Sequence, residues 1–171
     1  MRQSLVLLFI ITSVTFLFGQ ETNKVIKDEE SGKPMLVGPC TREAFSDTSF
    51  SWWFNSGYKM YHPDSLTVND IKQNLDGVTV TVILGTWCSD SREQVPNFFK
   101  IMDEANYPEN KITMICVDRD KKSTSGEADS LKIELVPTFI FYRNSKELGR
   151  IEESPKQTLE EDINTILKGK E

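Results

Sequence analysis

Val78-Thr79-Val80-Thr81-Val82-Ile83-Leu84-Gly85-Thr86-Trp87-Cys88-Ser89-Asp90-Ser91 is the stretch on which the fold turns. Its first half is β-branched and aliphatic, with Thr79 and Thr81 as the polar members, and it stands between Gly77 and Gly85. A short apolar run bounded by glycines reads as a buried strand. Beyond Ser91, the residues Val95, Phe98, Phe99, Met102 and Ala105 recur at helical spacing, with Glu93 in the first turn. The chain therefore passes from a strand, through a tight turn bearing a cysteine, into a helix.

Downstream of that unit, 112–117 is a second apolar strand, and the charged run 118–122 after it reads as a solvated strand end. A loop over 121–129 leads to a short helix or turn at 130–135. Strands over 138–142 and 147–151 have hairpin spacing. Leu159, Ile163, Ile166 and Leu167 mark a terminal helix, acidic at its start and with Lys168 and Lys170 at its end, as the helix dipole favours. Upstream, the aromatic-rich segment 41–61, with Trp52 and Trp53 at its centre, has the three- and four-residue spacings of a helix lying on a core. His62-Pro63-Asp64 breaks it, and Leu66, Val68, Ile71 and Leu75 start a second helix that stops at Asp76-Gly77. Residues 20–39 are polar and charged, with Gly32 and Pro34, and read as a flexible lead-in; order is expected to begin near Cys40. The pattern is α/β, with a central sheet of about four strands flanked by helices in one domain.

The 171 residues suit one core rather than two. Met1-Arg2, the apolar run 5–18 and Gly19-Gln20 have the outline of a secretory signal peptide over 1–19. The run is too short to span a bilayer. The expectation is export to the periplasm or cell envelope, with no stable membrane insertion after signal removal. With 26 acidic against 20 basic residues and a net charge of −6, nucleic acid is not an expected partner. One histidine, His62, and three scattered cysteines offer no zinc-ligand spacing, so neither metal nor cofactor is expected. Cys40, Cys88 and Cys116 are an odd number, so in an oxidising compartment at least one thiol stays free or pairs outside the chain.

Cys88 has the strongest claim to be that thiol. A cysteine at the first turn of a helix faces unsatisfied N–H groups and the positive end of the dipole, both of which favour thiolate over thiol. Ser91, in the same turn, is placed to donate a hydrogen bond to the thiolate; Arg92 adds positive charge nearby, and Asp90 opposes both.

Trp87-Cys88-x-x-Ser91, Pro96 eight residues after Cys88, and Val136-Pro137-Thr138 ahead of the last hairpin together resemble the thioredoxin superfamily over about 78–168. The segments 85–91 and 117–121 look like an exported branch of thioredoxin-like proteins found in bacteria of the Bacteroidetes group. The resemblance implies a three-layer α/β/α sandwich over 77–171, behind an N-terminal helical extension over 40–76. It implies Cys88 as the nucleophile, Trp87 as its shield, and a cis-proline loop at Val136, Pro137 and Thr138 that lies against the thiol and positions a substrate chain. The departures matter equally. Ser91 stands where the family's second cysteine stands, and a hydroxyl cannot attack a mixed disulfide. Val82 and, approximately, Met114 occupy the places of a buried aspartate and its lysine partner, and Glu152 falls where a glycine lets substrate approach.

Two functions follow. In the first, the protein is a monothiol oxidoreductase or isomerase that exchanges with protein thiols or disulfides of the cell envelope, in redox homeostasis or disulfide isomerisation. Cys88 attacks, and either an external thiol or Cys40, at the edge of the lead-in, resolves the mixed disulfide; Cys116, inside an apolar strand, is a buried structural thiol. In the second, the protein is a non-catalytic binding module that uses the cis-proline groove and the aromatics around Trp52 and Trp53. Iron–sulfur or glutathione chemistry of the monothiol glutaredoxin kind is argued against by export and by the sequence Trp-Cys-Ser-Asp-Ser.

Overall fold

The computed structural model describes residues 21–124 and 126–169; the expected signal peptide, 1–19, lies outside them. A small antiparallel hairpin, β1 (Val25–Lys27) and β2 (Pro34–Leu36), runs into β3 (Gly38–Cys40). A 3-10 turn (Arg42–Ser46) leads to α1 (Thr48–Met60) and then α2 (Ser65–Gln73). The stretch that decides the fold becomes β4 (Val78–Leu84) and α3 (Ser89–Glu104). It is followed by β5 (Ile112–Cys116), a 3-10 turn (Asp129–Leu131), β6 (Thr138–Arg143), β7 (Lys146–Glu152) and α4 (Leu159–Lys168).

Local chemistry explains the boundaries. The Asp47 carboxylate accepts from the Ser49 amide at the start of α1, and Asp64 accepts from Thr67 at the start of α2. Thr158 and Glu161 form a reciprocal capping box on α4. Each such cap contributes about 1 kcal/mol by satisfying amides that the helix leaves without partners. Between β6 and β7, Asn144 and Ser145 both take left-handed φ values, 51° and 62°, the conformation that two-residue hairpin turns require.

The central sheet has the order β3-β5-β4-β6-β7, with β4 and β5 parallel and the other neighbours antiparallel. Alternation along β4 divides its side chains between two faces. Val78, Val80, Val82 and Leu84 join one continuous core with Phe50, Trp53 and Phe54 of α1, Val68 and Ile71 of α2, Phe98 and Phe99 of α3, and Ile163 and Leu167 of α4. Ile83 and Ile115 point the other way, into a smaller cluster with Val117, Ala128 and Val136. The fold is the expected mixed α/β architecture, a central sheet flanked by helical elements. Among the described residues its outer layers are unequal: α1, α2, α3 and α4 share the first face, and the chain between β5 and β6, with a 3-10 turn, covers the second.

One expectation is corrected here. Residues 21–39 are not a flexible lead-in: they form β1, β2 and the start of β3, which adds a fifth strand to the sheet. Met35, Leu36 and Val37 are buried, and Asp28, a charged residue of the same segment, is buried as well. Its carboxylate accepts two hydrogen bonds from the Arg119 guanidinium, at 2.9 and 2.8 Å, so Arg119 belongs to a built ion pair and not to a solvated strand end. The segment reads as polar because the residues that turn it outnumber the few that dock it. The helical expectation for 41–61 is met by the 3-10 turn and α1. Leu36, Phe45, Phe50 and Phe54 lie in the same core as the sheet, so the helical extension shares its interior with the rest of the chain.

Candidate active site

Cys88 is the N-cap of α3, with extended φ and ψ of −82° and 133°, and is half-buried. It stands one turn beyond β4 because Gly85 closes a tight turn: the Cys88 amide donates to the Gly85 carbonyl at 2.9 Å. Gly85 is the residue that the turn demands, since a Cβ there would lie 2.6 Å from the Trp87 indole ring. With glycine, the indole folds back over the turn, and its Nε1–H donates to the Val117 carbonyl at 2.9 Å. The Arg119 guanidinium covers the same ring at 5.1 Å from its centroid. Trp87 is thereby clamped between the end of β5 and the ion pair that anchors the first strands.

The Cys88 thiol donates to the Val136 carbonyl at 3.2 Å and reaches Asp90 Oδ2 at 3.6 Å. Val136 precedes Pro137 across a cis peptide bond, and this loop forms the wall opposite α3. Thr138 opens β6 fully buried, its hydroxyl donating to the Leu135 carbonyl at 2.7 Å, and the Glu153 amide donates to the Pro137 carbonyl at 2.7 Å. Cys88, Trp87, Val136 and Pro137 are thus brought to one place by β4, α3 and the approach to β6. Glu152, paired with Thr138 on β7, puts an exposed carboxylate beside that loop.

Three expected roles change. Ser91 is fully buried, and its hydroxyl accepts from the Gly85 amide at 3.2 Å, so among the described contacts it secures the turn instead of addressing the Cys88 sulfur. Arg92 makes its contacts with the turn and with α1: its Nε donates to the Thr86 carbonyl at 2.7 Å and its guanidinium lies 5.9 Å from the Trp52 ring centroid. Asp90 alone of the two charges contacts the thiol. Cys40 does not face Cys88; it sits in β3 with its sulfur 2.7 Å from that of Cys116, so the resolving role expected of it has no support in the fold. Of the two tryptophans in the aromatic segment, Trp53 is core and Trp52 is 63% exposed. Val82 and Met114 are paired across β4 and β5 and both are buried, so an apolar pair fills the place where the resemblance implies a carboxylate and an ammonium.

What sequence reasoning missed is the coupling of Asp28 and Arg119 to Trp87, and the meeting of Cys40 with Cys116. A signal existed: Met35-Leu36-Val37 is an apolar run inside a polar segment, the mark of a stretch that docks.

Residues 67–165 match the thioredoxin family. This chain belongs to that family. The thioredoxin-family chain is 38% identical to thioredoxin-5 of Dictyostelium discoideum over 91 residues, 53% of this chain and 82% of that one. It is 28% identical to a thioredoxin of Ictalurus punctatus over 94 residues, covering 55% and 84%. A chloroplast thioredoxin-like protein of Arabidopsis thaliana is 30% identical over 95 residues, 54% of this chain and 35% of its own length. Among solved structures, a Pseudomonas aeruginosa protein of unknown function aligns with a TM-score of 0.47 at 14% identity, over 69% of this chain and 79% of that chain. Fasciola hepatica thioredoxin aligns with a TM-score of 0.35 at 23% identity, over 48% and 73%. Family membership brings thiol–disulfide oxidoreductase-type chemistry, with protein thiols and disulfides as the general substrate class. No helix among the described residues is long and apolar enough to cross a membrane.

Proposed function

We propose that this protein is an exported, monothiol member of the family that performs thiol–disulfide exchange through Cys88. The observation that carries the reading is the placement of the Cys88 sulfur at the N-terminus of α3 and against the Val136 carbonyl, while the other two sulfurs face each other. The apolar run 5–18 supports export, and the substrates are then protein disulfides of the cell envelope. In the reaction the Cys88 thiolate attacks one sulfur of a substrate disulfide, forms a Cys88–substrate disulfide and expels the other sulfur as a thiolate, which takes up a proton. Ser91 cannot complete the cycle. A second thiol of the substrate attacks the substrate sulfur of the mixed disulfide, forms a new substrate disulfide and returns Cys88 as thiolate. That sequence isomerises; when an external thiol instead attacks the Cys88 sulfur, the substrate leaves with both thiols free, a second external thiol then releases Cys88, and the net result is a reduction in which two external thiols become one disulfide.

The experiment is trapping with a disulfide-linked peptide. The full chain, mixed with the peptide, quenched in acid and mapped by mass spectrometry, gains one half of the peptide on the fragment holding Cys88, and the same fragment of Cys88→Ser gains none. An adduct of undiminished yield in Cys88→Ser, or no adduct in the parent chain, overturns the proposal. A non-catalytic binding role has one favourable observation, the exposed Trp52 beside Arg92. It requires retention of a partner that is indifferent to Cys88→Ser.

A further inference from the structure

Cys40 and Cys116 take no part in the site just described, yet their sulfurs are in contact. Cys40 ends β3 and Cys116 ends β5. In the antiparallel ladder Gly38 opposes Cys116 and Cys40 opposes Met114, so the two cysteines are diagonal neighbours. Both belong to the core on the helical face of the sheet. Their sulfurs are 2.7 Å apart, although 76 positions separate them in sequence. A disulfide bond holds its sulfurs at about 2.05 Å, so a shift of roughly 0.7 Å closes the gap.

The two thiols differ in access. Cys116 is fully buried, and burial together with the neighbouring Cys40 raises its thiol well above the usual range. Cys40 is 7% exposed and borders a cavity of about 300 Å³, also lined by Thr41, Glu109, Asn110, Ile112 and Met114. Cys40 thus lines a cavity that Cys116 does not, and the Cys116 sulfur is approached through Cys40.

We propose that Cys40 and Cys116 form an intrachain disulfide that fastens the edge strand β3 to β5 and leaves Cys88 as the one free thiol. The oxidant is a disulfide, either a small molecule or another protein. The Cys40 sulfur attacks it from the cavity, giving a Cys40 mixed disulfide and releasing one thiol. Cys116 then attacks the Cys40 sulfur, forming the intrachain bond and releasing the second thiol. The pair of cysteines loses two protons and two electrons, and the oxidant gains both as its two thiols. The structural consequence reaches the active site. β3 is three residues long and lies at the edge of the sheet, and the chain ahead of it carries Asp28, whose partner Arg119 covers Trp87. A covalent bond from β3 to β5 holds that assembly in register. The inference does not rest on Cys88 being a nucleophile.

The test is peptide mapping of the full chain. The protein is equilibrated with excess oxidised glutathione, unfolded in the presence of an alkylating reagent and digested without reductant. The expected map has one cross-linked fragment holding Cys40 and Cys116, while Cys88 appears on its own fragment, alkylated or glutathionylated. Adding reductant to the oxidised chain lowers the unfolding midpoint by about 10 °C, the scale expected for a bond closing a loop this long. Cys40→Ser and Cys116→Ser lose that sensitivity. Alkylation of both Cys40 and Cys116 after the oxidant treatment, or a cross-link that includes Cys88, overturns the proposal. The map of the parent chain decides it even where a variant does not fold.

Discussion

Arg119 is the residue whose neighbours do most to shape the site without touching the thiol. Its guanidinium binds Asp28 in a bidentate pair, reaches Glu30 at 3.1 Å and lies over the Trp87 ring. Asp28 also accepts from the Ser31 hydroxyl and from the Glu30 amide. The Arg119 hydrogen bonds, with Ser31 next, hold the Asp28 carboxyl well below the usual carboxylate range. A carboxyl whose folded value is depressed adds stability above its unfolded value, about 3.9, and that stability is lost as pH falls through the folded value. Asp28→Asn is therefore expected to unfold at a lower temperature than the parent at every pH from 8 down to about 4. Below that the gap narrows, because the Asp28 carboxyl of the unfolded chain takes up protons while that of the folded chain still does not. Paired thermal melts across this range check it, and equal midpoints at pH 7 would show that the pair is idle.

Elements meet through one tight contact and several aromatic ones. α1 packs on α3, with the Phe54 and Phe99 rings 5.8 Å apart, and both Arg42 and Tyr58 donate to the Asp103 carboxylate. The two helices come close at Gly57, where a Cβ would lie 2.6 Å from Cγ of Pro96. Pro96 is buried within α3, so the contact cannot be relieved by rotating a flexible chain. In an open helix, alanine in place of glycine stabilises by about 1 kcal/mol. Here steric overlap wins, and Gly57→Ala is expected to destabilise the fold by about 1–3 kcal/mol, measured by urea unfolding. Gly57→Ala combined with Pro96→Ala recovers part of the loss, because it removes the atom that the new methyl meets. A neutral or stabilising Gly57→Ala would mean that the two helices separate freely. The helices themselves were legible from spacing, whereas their point of contact was not, since a glycine and a proline carry no hydrophobic pattern to read.

For the molecule as a whole, the unbroken core from Leu36 to Leu167 has a thermodynamic consequence. α1 and α2 have no separate interior, so they should not unfold apart from the sheet. Tryptophan emission, which reports Trp52, Trp53 and Trp87 together, and far-ultraviolet circular dichroism are expected to trace one coincident transition in denaturant. Two separated transitions would assign the helical extension its own stability. The strand, cysteine turn and helix at 78–105 were readable because their signal is local: apolar periodicity, a glycine at the turn and a cysteine where a helix begins. The cis-proline segment was readable from its residues and their resemblance to a known family. The hairpin at 25–36 was not, because the few residues that bury it are set among polar ones and count only when the core and Arg119 are there to receive them. Which side chains address Cys88 was likewise beyond the reach of spacing. Ser91 and Arg92 lie within one turn of it, yet both are claimed by backbone groups of the turn at 85–86. Cys40 and Cys116 belong to the same class. Chain order set the elements beyond Cys40 and the position of the thiol, while the partnership of two sulfurs 76 positions apart came only from the strand register that folding imposes.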